Sequence, residues 1–515
     1  MNTFWKRFMV VCLVIGWVGI TISQIPARAR EPDYWPTDGW RTSTPEEQGM
    51  DSNELLGVLK YIERTGLNIN SVTVVRHGYI VMDAYLHPFA PDKRHIIHSC
   101  TKSFTSALIG IAIKEGYLTG PDQLLSEIFP NRTMANLDAN KEAITLSDLL
   151  TMVSGWECRD SYLYNWQGLR ELRASDDWIQ HVLDLPMSEA PGTRFEYCNE
   201  ASFLLSAIIT ETTGLSAYDF AQEYLFGPLG FGEAVWPTNP DGINIGWGEL
   251  RITPHDMAKF GYLYLHNGEW DGEQIIPASW VDASTQAQIH AGTLGENYGY
   301  QWWIESEQFY AAEGYAGQYI FVVPSLDMVV AFTSGLNGRY FEVPQDLLED
   351  YIIPAAKADD ALPPNPDALA ELETLIHTFA NPEPQPVSAL PEIAQTVSGT
   401  TYTLEENDLG FETVTLTFEP GSAEARFDLG TSRGPMVAIA GLDGVFHIIQ
   451  DADGEDMAAK GRWQGNRFVI DIKTMRHPWE DQYQFSFGDG TVTLSVRDNV
   501  YGATWRIQGE VQHNN

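Results

Sequence analysis

A chain of 515 residues with 44% hydrophobic content exceeds one core, because single cores stop growing at about 250 to 300 residues; two folded units are expected. Acidic side chains outnumber basic ones 70 to 31, and a formal charge of -39 repels nucleic acid and anionic lipid, which excludes polyanion partners. The first residues combine Lys6 and Arg7, an apolar run from Phe8 to Ile22, and the small-x-small site Ala27-Arg28-Ala29. This order predicts a secretory signal over residues 1–29 and an exported, periplasmic or extracellular protein. The apolar run falls short of the roughly 20 residues of a membrane span, so no stable span is expected after cleavage. Cys12 sits too early to be a lipid-attachment site.

An exported chain carries Cys100, Cys158 and Cys198 into an oxidising compartment. Three thiols allow at most one internal bridge. A Cys158–Cys198 pair would close a loop of about 40 residues, worth roughly 4 kcal/mol of chain entropy; the alternative is three small buried hydrophobes.

Along the chain, SNELLGVLKYIERTG places Leu55, Leu56, Leu59 and Ile62 on one helical face after Ser52, a cap candidate. SVTVVRHGYIVMDAYL has two β-branched runs around His77-Gly78 and predicts a hairpin. SCTKSFTSALIGIAIKEGYL leaves hardly any polar face and predicts a buried helix. From about 140 to 290 the pattern is mostly helical; YGYQWWI, QFYAAEGYAGQYIFVV and DMVVAFTSG then read as strands. Together they predict an α+β domain over 40–354 with one antiparallel sheet. A Pro-rich linker with one short helix is expected over 355–392. Short alternating runs between Gly and Asp turns predict a β-barrel or sandwich over 393–512.

Ser99-Cys100-Thr101-Lys102 is the only S-x-x-K in the chain and opens the most apolar helix. Residues three apart share a helical face, so the Lys102 amine can lie beside the Ser99 hydroxyl. A serine is a weak nucleophile until a base takes its proton, and a lysine serves as base only when burial lowers its pKa. Further on, Tyr197-Cys198-Asn199 sends a phenol and an amide the same way from an extended backbone. A tyrosine near a buried ammonium can ionise below its usual value and shuttle the proton; the plainer reading is a core tyrosine and a helix cap. Trp156, Tyr162, Tyr164 and Trp166 crowd the intervening segment, either as a substrate rim or as packing beneath a long loop. H-E-x-x-H, C-x-x-C and phosphate-loop patterns are absent from the sequence, so no cofactor and no metal are expected.

These two motifs, with LSDLLTMVSGW, PGTRFEYCN and ITPHDMAKFGYLYLHNG in the same order, resemble the serine β-lactamase and penicillin-binding-protein superfamily, in its class C-like branch of esterases and nylon-oligomer hydrolases. The resemblance covers roughly Thr44 to Ile353 and implies a β-lactamase/transpeptidase-like domain with its site between a helical region and the sheet. It implies Ser99 as acyl-forming nucleophile, Lys102 and Tyr197 as proton carriers, and Asn199 as the group that holds a substrate amide and orders Lys102. The C-terminal module resembles the lipocalin-like appendages found behind such domains.

A Lys-Thr-Gly or His-x-Gly on the inner strand should fall at Gly314-Tyr315-Ala316-Gly317-Gln318. Tyr315 stands where that resemblance puts a cation, so the group that grips a β-lactam or peptide carboxylate is missing there. Gly317 lets substrate approach, and a backbone N–H near Tyr315 or Gln318 would complete an oxyanion hole with that of Ser99. With Glu313 adjacent, small-molecule ester, amide or peptide substrates without a free carboxylate are expected, amine-bearing ones among them. Rival readings are a D-amino-acid peptidase acting on cell-wall peptides and a catalytically silent binding protein on the same scaffold.

Overall fold

The computed structural model describes residues 30–160, 166–292, 296–450, 454–475, 480–500 and 502–512. The expected leader over 1–29, Cys12, Tyr162 and Tyr164 lie outside the described residues. Among those described, no helix is long and apolar enough to cross a membrane.

The first domain is built on a nine-stranded sheet. Its strands are β1 (Arg41–Thr42), β2 (Ile69–Arg76), β3 (Tyr79–Tyr85), β4 (Ile289–His290), β5 (Asn297–Tyr298), β6 (Trp303–Ile304), β7 (Tyr310–Gly314), β8 (Gln318–Val323) and β9 (Met328–Ser334), in the spatial order β1-β3-β2-β9-β8-β7-β6-β5-β4. All neighbours are antiparallel except β1 with β3. The β2–β3 turn is His77-Gly78, with φ 51° and 80°. Two left-handed residues match the twist of a hairpin, which explains why that dipeptide marks the turn.

Strand alternation divides the core in two. Ile320, Val322, Val329 and Ala331 face one cluster; Phe321, Val323, Val330 and Phe332 face the other. Helices α2 (Thr101–Lys114), α3 (Asn199–Thr213) and α4 (Pro254–Leu265) cover the first face. Phe104 of α2 stacks on Phe260 of α4 with centroids 3.7 Å apart. Helix α4 lies close on the sheet because position 261 is glycine: a Cβ there would stand 2.6 Å from Val329 Cγ1. Helix α1 (Ser52–Thr65) covers the second face with Leu55, Leu56, Val58, Leu59 and Ile62. Its cap is Asp51, whose Oδ1 accepts from Asn53 N at 2.9 Å; Ser52, the expected cap, instead donates to Glu46 Oε2. The short helix of the Pro-rich segment, α5 (Pro366–Ala380), packs on α1 and buries Leu372 in the same core.

The C-terminal strands are β10 (Thr401–Leu404), β11 (Phe411–Phe418), β12 (Glu424–Thr431), β13 (Gly434–Gly441), β14 (His447–Gln450), β15 (Asp456–Gln464), β16 (Arg467–Thr474), β17 (Glu480–Gly488), β18 (Thr491–Asp498) and β19 (Thr504–Val511). Antiparallel pairing runs β13-β12-β11-β10-β19-β18-β17-β16-β15, and a parallel β13–β15 pair closes the ring. This is a closed nine-stranded barrel, with β14 outside the ring on β15 alone. Closure removes the sheet edges that a sandwich would leave. Phe427, Phe468, Phe485 and Leu494 fill the interior.

The barrel is fastened to the first domain. Lys93 Nζ pairs with Asp456 Oδ2 at 2.5 Å, Lys473 Nζ donates to Asn68 Oδ1 at 2.7 Å, and a His87 ring nitrogen lies 2.7 Å from Phe446 O.

Candidate active site

Ser99 lies on a single 3₁₀ turn, His98–Cys100, that runs directly into α2. His98 before it has φ 44°, a left-handed conformation that costs a non-glycine residue about 1 to 3 kcal/mol and is concentrated at functional sites. Lys102 is 1% exposed. Its Nζ sits 3.1 Å from Ser99 Oγ, 2.7 Å from Asn199 Oδ1 and 2.9 Å from Trp247 O. Oδ1 and the carbonyl can only accept. In the neutral amine they take both N–H bonds, and the remaining lone pair faces the serine hydroxyl, the arrangement a general base requires.

Burial lowers the Lys102 pKa from its ordinary value to about 7, against the pull of nearby Asp160 and Glu200. Glu200, buried beside Asp160, is itself pushed well above the usual carboxylate range by burial and by that neighbour.

Tyr197 lies across the cleft, with Lys102 Nζ 4.7 Å from its ring centroid. The expectation that an ammonium would lower this phenol is reversed. Burial raises it most, a hydrogen bond with Ser99 lowers it, and Glu313 and Asp160 raise it further. A lysine without its proton offers no compensating charge, so the phenol stays protonated.

Asn199 opens α3, and its backbone N–H donates to Asp160 Oδ2 at 2.9 Å. Asp160 also accepts from Leu169 N and is 1% exposed. The structure bridges Cys158 to Cys198, so the segment carrying Asp160 is tied covalently to the residue before Asn199. Cys100 is a free, buried thiol. Of the four aromatics in this segment, Trp156 is core, 1% exposed, and is not a rim residue; Trp166 lines the cavity.

Gly314-Tyr315-Ala316-Gly317-Gln318 is not an inner-strand run. Gly314 ends β7, residues 315–317 form the turn, and Gln318 begins β8. Ala316 and Gly317 have φ 63° and 85°. The turn rides against the nucleophile's segment: a Cβ on Gly314 would meet Ile97 O at 2.2 Å. Tyr315 lines the cavity, edge-on to His98. Gln318 is fully buried; its amide donates to Tyr315 O and Ser334 O and accepts from Ser334 N, so its side chain pins the turn and is not available to substrate.

These groups border one cavity of about 1100 Å³. Ser99, Tyr197, Asn199 and Tyr315 line it, as do Glu296 and Glu313. The carboxylates of Glu296, Glu305 and Glu313 lie within 4.8 Å of one another. Burial and the neighbouring acids raise Glu296 to about 7 and hold Glu313 well above its ordinary value. A raised carboxyl favours the fold below its unfolded pKa and loses that advantage as pH climbs through the folded value. Glu296→Gln is therefore expected to raise the melting temperature at pH 8 more than at pH 5, measured by calorimetry; an equal shift at both would refute the crowding.

Sequence inspection missed Asp160, Glu200, Trp247 and the Glu296–Glu305 pair. Only Asp160 had a signal, its position two residues from Cys158.

Comparison with known proteins fits this geometry. The sequence profile of the beta-lactamase family matches residues 46–352. The chain belongs to the beta-lactamase family. It is 23% identical over 281 residues to a 6-aminohexanoate-dimer hydrolase of Paenarthrobacter ureafaciens, covering 50% of this chain and 70% of that protein. A candidate 6-aminohexanoate-dimer hydrolase from Bacillus anthracis superposes with a TM-score of 0.51 at 21% identity, covering 66% of this chain and 90% of that one. EstCE1, a hydrolase with promiscuous acyltransferase activity, superposes with a TM-score of 0.51 at 16% identity, covering 59% and 98%. This beta-lactamase-family chain is a serine hydrolase with a β-lactamase/transpeptidase-like domain and an appended barrel.

Proposed function

We propose that the protein is exported and cleaves esters or amides through an acyl-enzyme on Ser99. One observation carries the reading: Lys102 Nζ is held between Asn199 Oδ1, the Trp247 carbonyl and Ser99 Oγ, so that once the amine is neutral the two pure acceptors take its N–H bonds and its lone pair is left to the Ser99 hydroxyl. Ser99 Oγ attacks the carbonyl carbon while its proton passes to Lys102 Nζ. The oxyanion accepts from the backbone N–H of Ser99 and of the 315–318 turn, each such donor worth about 2.7 to 4 kcal/mol. On collapse, the leaving oxygen or nitrogen takes the proton back by way of the Tyr197 hydroxyl. Water then repeats the sequence and releases the acid. Export is supported by the leader pattern over 1–29 and by the Cys158–Cys198 bridge, a bond that persists in oxidising compartments.

The carboxylate group formed by Glu296, Glu305 and Glu313 favours acyl groups that carry an amine. The relative named for the 6-aminohexanoate dimer points to the same class, an amide whose acyl half bears one. A fluorophosphonate is expected to add once to the intact chain by mass. Short p-nitrophenyl esters should turn over faster than nitrocefin, and an amine-bearing acyl ester faster than its N-acetylated twin. Faster nitrocefin turnover, or no adduct, would sink the reading.

A further inference from the structure

The active-site cavity is not made by the hydrolase domain alone. Arg497 at the end of β18, with Asn499 and Val500 after it, lines the same space as Ser99. These residues belong to the barrel, some 400 positions from the nucleophile. Their place is firm. Val500 is 2% exposed although it sits at a turn between strands, its N–H donates to Asp498 Oδ1 at 2.7 Å, and Asn499 N donates to Glu480 O. The ion pair Lys93–Asp456 and the Lys473–Asn68 hydrogen bond hold the barrel on the hydrolase domain.

Arg497 makes no ion pair and no side-chain hydrogen bond among the described residues, in a chain with 70 acids to 31 bases. Arg339, also on the cavity wall, is likewise without an ion pair there. Both guanidinium groups lie on the wall of the cavity that Ser99 also lines and make no ion pair among the described residues, so an anion entering that cavity can pair with them. The usual position for a carboxylate-gripping cation, at residue 315, is a tyrosine.

We propose that the barrel supplies Arg497 as the specificity-determining residue for substrates whose leaving group carries a carboxylate, with the guanidinium fork binding both oxygens. The proposal rests on the Ser99 acyl-enzyme reading and extends it to the leaving side, leaving the amine-bearing acyl side to the glutamates.

The test uses the full chain and two esters of one acyl group, one releasing p-nitrophenol and one releasing 5-hydroxy-2-nitrobenzoate. In Arg497→Ala the KM of the carboxylated ester is expected to rise about tenfold or more, the size of a lost charge-assisted hydrogen bond, with the neutral ester changed less than about twofold. Arg497→Lys should recover part of the loss, because it keeps the charge and loses the fork. Equal loss on both esters would mean a structural role, and no loss on either would mean that the guanidinium does not meet substrate; either overturns the proposal. Calorimetric binding of 5-hydroxy-2-nitrobenzoate to the wild-type and Arg497→Ala chains needs no turnover. Equal affinity there refutes the arginine assignment even if Ser99 proves not to be the nucleophile, and the rate of fluorophosphonate labelling reports on Ser99 separately.

Discussion

Ser99→Ala is expected to lower kcat on the best ester by about five to six orders of magnitude, as removal of the nucleophile does in other serine hydrolases, and to abolish the fluorophosphonate adduct. The substitution removes one oxygen from a half-buried position beside the cavity. The fold has little reason to respond, since Ser99 Oγ contributes only its hydrogen bonds with Lys102 and Tyr197 while α2 is anchored by a dozen buried residues. Unchanged melting temperature with lost turnover is thus the signature; residual activity above about one part in a thousand would place the nucleophile elsewhere.

The second large effect concerns the base. With Lys102 lowered to about 7, kcat/KM on an uncharged ester should rise through pH 7 and level off above it, because only the amine without its proton accepts from Ser99. Lys102→Met should cost about two to four orders of magnitude and erase that limb. Tyr197→Phe should keep the limb at the same pH, since burial and the nearby acids hold the phenol protonated across this range. A limb that moves with Tyr197 and not with Lys102 would exchange the roles. Stability follows the same group with a definite sign. A lysine depressed in the fold carries its proton only in the unfolded chain between about 7 and 10.5, so stability gains from this residue as pH rises through that interval and is lowest in acid.

Much of the site could be read from local patterns. Ser99 and Lys102 are separated by less than one helical turn, so their meeting is decided by short-range geometry and by the apolar run that buries the amine. The β2–β3 hairpin and the buried character of α2 are equally local. The resemblance to a known family gave Tyr197 and Asn199 their roles, but not the direction in which the phenol titrates. That direction depends on Asp160 and Glu313, which approach from separate segments. The Trp247 carbonyl has no sequence signature at all, since any residue could offer one. Glu296 immediately precedes β5, Glu305 immediately follows β6 and Glu313 lies on β7, so their convergence depends on the register of these three strands. The barrel's closure is likewise a matter of one parallel pair, β13 with β15, that alternating patterns cannot announce.

The Cys158–Cys198 link joins the segment holding Asp160 to the residue just before α3, and Asn199, which opens that helix, in turn positions the amine of Lys102. The alignment of the proton acceptor is therefore coupled to the electron balance of its surroundings. With Cys158 and Cys198 reduced, the chain would keep every catalytic side chain and still hold its lysine more slackly.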